Sequence, residues 1–229
     1  GDPVLHSKSP VLHGAMLSAL GLDIPYDART VHRGELPEYL AWAREHGVTG
    51  FNATMPHKED VLPLLDEIDP AAAAVGSVNT VCLRRGRWVG FSTDGAGALA
   101  ALRDGLRFDP AGACVTLLGA GGAAKAVALA LAGAGAERVF VCNRTLSRAE
   151  GLCALDPSGR LTPAGFGGDT LRRCAAQSPL LVNCTNLGMA GCPGQFEAFA
   201  FLDALPPGAA VYDLIYHPAE TELLSQARR

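Results

Sequence analysis

Hydrophobic patterning changes character near residue 95. Before it, Leu12, Ala15, Met16, Ala19 and Leu20 recur at helical spacing, with Ser9 as N-cap, Pro10 at the first helical position and Gly21 as the stop. A strand over 24–31, a helix over 36–46 and a strand over 48–54 follow, the last running into Met55-Pro56. Residues 78–83 and 88–91 read as a hairpin with its turn at 84–87. Asp94-Gly95 closes this half, and 96–106 reads as a connecting helix.

After it, strands are expected at 114–118, 138–142, 180–184 and 210–215, with helices between them. Strands alternating with helices imply a parallel sheet covered on both faces. The fold class is therefore α/β, in two domains.

The first of these later strands runs into Gly119-Ala120-Gly121-Gly122-Ala123-Ala124, which matches G-x-G-x-x-A. Gly119 makes the turn, Gly121 lets backbone approach a pyrophosphate, and Ala124 keeps the helix close to the sheet. The free N–H groups of that helix face the phosphates. A glycine turn alone can be a tight connection, but strand and helix on the correct sides give it weight as a dinucleotide site. An NAD site usually ends the next strand on an acidic residue that accepts from the ribose 2′-hydroxyl. Here the chain has Asn143-Arg144-Thr145, with Arg148 one turn on. Two guanidiniums suit a 2′-phosphate that a carboxylate would repel, which favours NADP. Thr145 or Ser147 as an ordinary N-cap is the plainer alternative, and it leaves the absent acid unexplained.

Composition narrows the rest. A net charge of −4 with no basic run argues against a nucleic-acid binder. The apolar stretches flanking Lys125 fall short of the ~18 residues that span a bilayer. Seven cysteines without a C-x-x-C pair, and six histidines without metal spacing, argue against a zinc cluster and for a reducing, cytoplasmic setting. The chain opens on Gly1 rather than Met, so an end is expected to be missing. Only three of its 19 basic residues are lysines: Lys8, Lys58 and Lys125.

The first half carries two polar clusters. Ser7-Lys8-Ser9-Pro10 sets two hydroxyls at a helix N-terminus, a place suited to a carboxylate. Capping explains Ser9 and leaves Ser7 over. In Asn52-Ala53-Thr54-Met55-Pro56-His57-Lys58, a strand period of two puts Asn52 and Thr54 on one face. Lys58 then falls in the first turn of a helix, where the dipole disfavours an ammonium and draws it toward acid–base range. A solvated lysine is the plainer reading of Lys58 taken alone.

These strings resemble the shikimate dehydrogenase family, in the family's own order: Gly1-Asp2-Pro3, Ser7-Lys8-Ser9-Pro10, Asn52-x-Thr54-x-Pro56-His57-Lys58, Gly76-Ser77-Val78-Asn79-Thr80, Thr93-Asp94-Gly95, the glycine loop, Asn143-Arg144-Thr145, Asn183-x-Thr185 with Gly188-Met189, and Tyr212-Asp213-Leu214-Ile215-Tyr216. The resemblance implies an N-terminal α/β substrate-binding catalytic domain over 1–95. A Rossmann-type NADP domain would cover 96–216, and 217–229 would begin a helix returning to the first domain. It implies Lys58 and Asp94 as the catalytic pair, with Ser7 and Ser9 on the substrate carboxylate. Thr54, Asn79 and Tyr216 would contact the ring hydroxyls or the carboxylate. Gly119, Ala120, Gly121, Gly122, Ala123, Asn143, Arg144, Thr145, Arg148 and Leu214 would hold NADP. The roles of Asp94 and Asn79 rest on the resemblance alone.

The implied reaction is the reversible NADPH-dependent reduction of 3-dehydroshikimate to shikimate, in aromatic amino acid biosynthesis. A non-catalytic NADP-responsive regulator on the same fold, or a quinate/shikimate dehydrogenase of broader specificity, are the alternatives. Serine at both positions 7 and 9 resembles the shikimate-selective members. Ser92, Asn186, Leu214 and Lys125 depart from residues common in the family. Family members also begin with a strand ahead of Gly1-Asp2-Pro3 and continue past Arg229, so a trimmed copy is expected. The expected partner is the small-molecule substrate, with a homodimer left open and neither nucleic acid nor membrane involved.

Overall fold

In the computed structural model, residues 1–4 and 7–229 are described. His6, one of the six histidines, lies outside them. The chain forms two compact units, Gly1–Ser92 and Thr93–Arg229.

The first unit contains α1 (Ser9–Ala19), α2 (Leu36–Glu45), β1 (Gly50–Asn52), α3 (His57–Asp60), β2 (Glu67–Ile68), α4 (Pro70–Val75), β3 (Thr80–Arg84) and β4 (Arg87–Phe91). Its sheet runs β1-β3-β4-β2. The expected hairpin is present: Arg84 pairs with Arg87, and Arg85 and Gly86 between them have φ of 50° and 76°. Two left-handed residues in succession give a turn whose twist matches the strands. Val61, Ala72, Val78, Val81 and Trp88 form the buried core, against which α2 packs Leu36, Leu40 and Ala43.

Three expectations for this unit need correction. Residues 24–31 are not a strand: they join no ladder among the described residues, Pro25 has no N–H to offer one, and Val31 N–H donates instead to the Gly1 carbonyl at 3.3 Å. Ser9 is the first residue of α1 rather than its N-cap, which is Lys8, so the hydroxyl meeting that first turn is Ser7's. The strand expected over 48–54 shortens to β1, although Ala53 N–H to the Asn79 carbonyl and Leu83 N–H to the Thr49 carbonyl carry the same antiparallel register one residue past each end. The apolar positions of α1 bury nothing, and Leu12 and Met16 are exposed.

The second unit contains α5 (Asp94–Leu106), β5 (Cys114–Leu118), α6 (Gly122–Gly133), β6 (Arg138–Asn143), α7 (Leu146–Cys153), β7 (Leu161–Gly165), α8 (Gly168–Ala175), β8 (Leu180–Asn183), β9 (Ala210–Asp213) and α9 (Glu222–Ala227). Its five strands are all parallel, in the order β7-β6-β5-β8-β9. The chain moves outward one way from β5 to β7 and then returns to β5's other side. The strand order thus reverses between β5 and β8, where ligands of open α/β sheets bind.

One core packs between the sheet and α5–α7 through Leu102, Val115, Leu117, Leu131, Val141 and Leu180, all fully buried. On the other face Leu118, Cys142, Leu181 and Leu223 pack with Phe201. Apolar residues on both faces are what a two-sided parallel sheet requires. β7 went unread because Pro163 and Gly165 break a strand pattern; it is an edge strand, where proline is tolerated.

α5 lies close against α6 at Gly95, where an added Cβ would stand 2.6 Å from the Ala126 carbonyl oxygen and 2.9 Å from Ala130 Cβ. Gly95→Ala should therefore lower stability by about 1–3 kcal/mol, read as a drop in the urea midpoint with an unchanged slope.

Candidate functional site

In the first unit, hydrogen bonds pin the chain on either side of Lys58. His57 N–H donates to the Thr54 carbonyl at 2.7 Å, and Asp2 N–H donates to that of Met55 at 2.9 Å. Val78 N–H donates to the Lys58 carbonyl at 2.8 Å. The His57 side chain is buried, and its Nε2 lies 2.6 Å from the Val31 carbonyl oxygen. A carbonyl only accepts, so Nε2 carries the proton and the tautomer is set. Lys58 is half-buried in this frame. Because α3 is a single turn, the helix-dipole argument made for Lys58 loses its basis.

The same unit carries a polar cluster. Ser7 Oγ accepts from Ser9 N–H at 3.2 Å, and Tyr26 O–H donates to Asn52 Oδ1 at 2.7 Å. Asn52 Nδ2 donates to the Asn79 carbonyl and to Thr80 Oγ1, each at 3.2 Å. Thr80 in turn donates to Asn79 Oδ1 at 3.0 Å. Thr54 is exposed and Asn79 half-buried. Reading the sequence missed Tyr26, whose signal was no more than one aromatic among polar neighbours.

In the second unit, β5 leads through Gly119, Ala120 and Gly121 into α6, whose first residues are Gly122 and Ala123. Gly119 has φ +106°, and a Cβ there would stand 3.2 Å from both the Cys184 carbonyl oxygen and Thr185 Cγ2. Both the backbone conformation and the room demand glycine. Gly121 is the N-cap with no side-chain cap, and a Cβ on it would meet no protein atom within 4 Å. Leading donors with open space before them are what a pyrophosphate at a helix N-terminus needs.

β6 ends on Asn143, whose Nδ2 donates to the Thr145 carbonyl at 2.8 Å. Thr145 is the N-cap of α7, yet its hydroxyl makes no capping bond, so capping does not account for the residue. Arg144, Thr145 and Arg148 are exposed within two turns of each other, with no carboxylate at the end of β6. The residues present fit a dinucleotide bearing a 2′-phosphate.

The loops after β8 and β9 are tied together by Asp213. It accepts from Asn183 Nδ2 and Ile215 N–H at 3.0 Å on Oδ1, and from Thr221 O–H at 2.7 Å on Oδ2. Asn183 Oδ1 receives the N–H and hydroxyl of Thr185 at 3.0 and 2.7 Å. This network fixes the segment carrying Leu214, half-buried, and Tyr216, which is 62% exposed. Asp94 opens α5 and is half-buried. Burial, and then the charges of Asp213 and Asp94, push the Cys184 thiol well above its usual range.

Comparison with known proteins gives a consistent result. A model described as the shikimate dehydrogenase substrate binding domain matches residues 1–81, and one described as shikimate / quinate 5-dehydrogenase matches residues 105–163. A shikimate dehydrogenase (NADP(+)) of Geobacter sp. strain M21 is 45% identical over 234 residues, covering 99% of this chain and 79% of that protein. The Thermus thermophilus shikimate 5-dehydrogenase, solved with NADP(H) and shikimate, matches with TM-score 0.82 and 38% identity, covering 99% of this chain and 80% of its own. The Listeria monocytogenes shikimate 5-dehydrogenase, solved with shikimate and NAD, matches with TM-score 0.88 and 32% identity, at 99% and 80% coverage.

Gly119→Ala should weaken dinucleotide binding about ten-fold or more, since the new Cβ adds backbone strain and presses on Cys184 and Thr185. Fluorescence titration with NADP+ measures this.

Proposed function

The chain belongs to the shikimate dehydrogenase family, and on that premise we propose that it catalyses the reversible NADPH-dependent reduction of 3-dehydroshikimate to shikimate. The observation that carries this reading is the spread of the match: family models cover part of each unit, and the relative's 45% identity runs over 99% of the chain. No feature favours the regulator or the broader quinate enzyme.

Lys58 is the acid–base residue: as an ammonium it donates a proton to the oxygen of the carbonyl being reduced, and as an amine it takes the hydroxyl proton in the reverse direction. Asp94 is the carboxylate member of the catalytic pair. Ser7 and Ser9 donate to the substrate carboxylate, while Thr54, Asn79 and Tyr216 bind the remaining oxygens. Support for this comes from the backbone clamp on Lys58 and from the linked polar side chains of Tyr26, Asn52, Thr80 and Asn79.

Gly119, Ala120, Gly121, Gly122 and Ala123 would hold the pyrophosphate of NADP, with Asn143, Arg144, Thr145 and Arg148 around its 2′-phosphate and Leu214 beside the cofactor. Bound there, the nicotinamide supplies the hydride. The setting we infer is cytoplasmic: all seven cysteines are free thiols, as a reducing compartment keeps them, and among the described residues no helix is long and apolar enough to cross a membrane. Sedimentation equilibrium decides the homodimer that the sequence leaves open.

Shikimate-dependent formation of NADPH, followed by absorbance, tests the activity itself. Lys58→Ala should lower kcat by about 10²–10⁴-fold while KM for shikimate changes little. A loss confined to KM would remove Lys58 from the chemistry. Replacing both Arg144 and Arg148 by alanine should raise KM for NADP+ about ten-fold or more and leave KM for NAD+ nearly unchanged. An equal rise for the two cofactors would sink the 2′-phosphate assignment.

A further inference from the structure

His57 is a polar residue in a place where packing alone favours an apolar one. Its ring is 1% exposed, in a unit whose core is built from Val61, Ala72, Val78 and Trp88. Nδ1 has no hydrogen-bond partner among the described residues. A buried polar atom left unpaired works against the fold. A phenylalanine would fill a similar volume without one. Packing therefore does not account for the histidine, and its other nitrogen does.

Nε2–H donates to the Val31 carbonyl at 2.6 Å, joining residues 26 positions apart in the chain. Val31 N–H donates to the Gly1 carbonyl at 3.3 Å, and Asp2 N–H to the Met55 carbonyl at 2.9 Å. Gly1-Asp2, Val31 and the turn from Met55 to His57 are thus closed into one ring of hydrogen bonds. Two of its three bonds run between backbone groups, and no side-chain replacement removes them. The third depends on which side chain stands at position 57.

That side chain is also next to Lys58. α3 is a single turn that begins at His57, and successive helical residues stand about 100° apart around the axis. His57 faces the core, while Lys58 leaves the same turn half-buried. Val78 N–H grips the turn through the Lys58 carbonyl at 2.8 Å. The turn is therefore held at two consecutive residues, by backbone at Lys58 and by a side chain at His57.

We propose that His57 is a positioning residue for Lys58: its bond to the Val31 carbonyl sets the rotation of the turn, and with it the line along which the Lys58 side chain leaves. This rests on the reading of Lys58 as the acid–base residue. Such a group must meet the reacting oxygen at hydrogen-bond distance, and a misplacement of about 1 Å costs on the order of 10²-fold in rate. The effect falls on kcat and spares the groups assigned to substrate and cofactor binding.

The test compares three replacements by steady-state kinetics, with the thermal midpoint of each checking that the fold persists. His57→Phe keeps a ring and removes the donor. His57→Gln keeps an N–H donor as many bonds from Cα as Nε2 is. An amide neither gives nor takes a proton in catalysis, so an active glutamine variant also excludes acid–base work by His57 itself. His57→Asn carries its donor one bond short. His57→Phe and His57→Asn should each lower kcat about ten-fold or more, with KM for shikimate and for NADP+ within about two-fold of the parent chain. His57→Gln should keep kcat within about three-fold. In a Lys58→Ala background, His57→Phe and His57→Asn should cost less than about two-fold further, because the role runs through Lys58. Where phenylalanine does not fold, glutamine against asparagine makes the same comparison. Equal kcat for those two amides, a His57→Phe variant that turns over like the parent chain, or losses that multiply with Lys58→Ala each overturn the proposal and leave the role of Lys58 standing. If Lys58→Ala itself keeps the parent kcat, the acid–base reading falls and takes this inference with it.

Discussion

The geometry of the second unit follows from the central place of β5. It is flanked on both sides by parallel partners, β6 and β8, so its chain cannot leave sideways at its C-terminal end. Gly119 N–H still bonds the Cys142 carbonyl at 2.8 Å, and Cys184 N–H bonds the Leu118 carbonyl at 2.9 Å. The exit is therefore bounded by backbone on both flanks. Only a residue without Cβ, at a φ that L side chains avoid, turns the chain there into α6. That turn aims the unpaired N–H groups of α6 over the sheet edge where the strand order reverses. The anion site is thus a by-product of closing a buried strand, and its donors are in place before any ligand arrives.

The first unit holds its candidate site residues by another means. Where β5 is fixed by burial on both faces, β1 is a three-residue edge strand and α1 buries no side chain. Position is set there by hydrogen bonds between segments far apart in sequence: His57 to Val31, Lys58 to Val78, Tyr26 to Asn52. Each such bond contributes about 1 kcal/mol net, against the larger burial energies of a packed side chain. Direction rather than strength is what they supply. A donor committed to one acceptor leaves a defined lone pair or proton facing the site.

This difference explains what could be read from sequence. β5, β6, β8 and β9 are mostly apolar runs whose presence was legible, β9 ending at Asp213 two residues short of the expected 215, as was the hairpin whose Arg85-Gly86 turn carries its own chemistry. Composition hid β7, since Pro163 reads as a break unless the strand is known to lie at an edge. β2 has two residues, too few for a period of two to register. Residues 24–31 have strand-like composition, but a strand exists only through a partner, and pairing is not a local property. Ser9 moved one place into α1 because the cap position falls on Lys8, a residue the N-cap preference does not favour, while Ser7 Oγ accepts from the Ser9 N–H. The side-chain network through Tyr26 left no pattern to find.

Electrostatics at the edge of the parallel sheet bring these points together. A dinucleotide pyrophosphate is anionic, yet Asp213 and Asp94 both lie near enough to Cys184 to influence its thiol. Asp213 is held by hydrogen bonds from three groups, Asn183 Nδ2, Ile215 N–H and Thr221 O–H, which tie two loops together. Cys184 adds no further charge, because burial and those carboxylates keep it a neutral thiol. A neutral thiol is a poor nucleophile. Cys184, whose carbonyl oxygen borders the glycine turn, therefore offers no covalent route there.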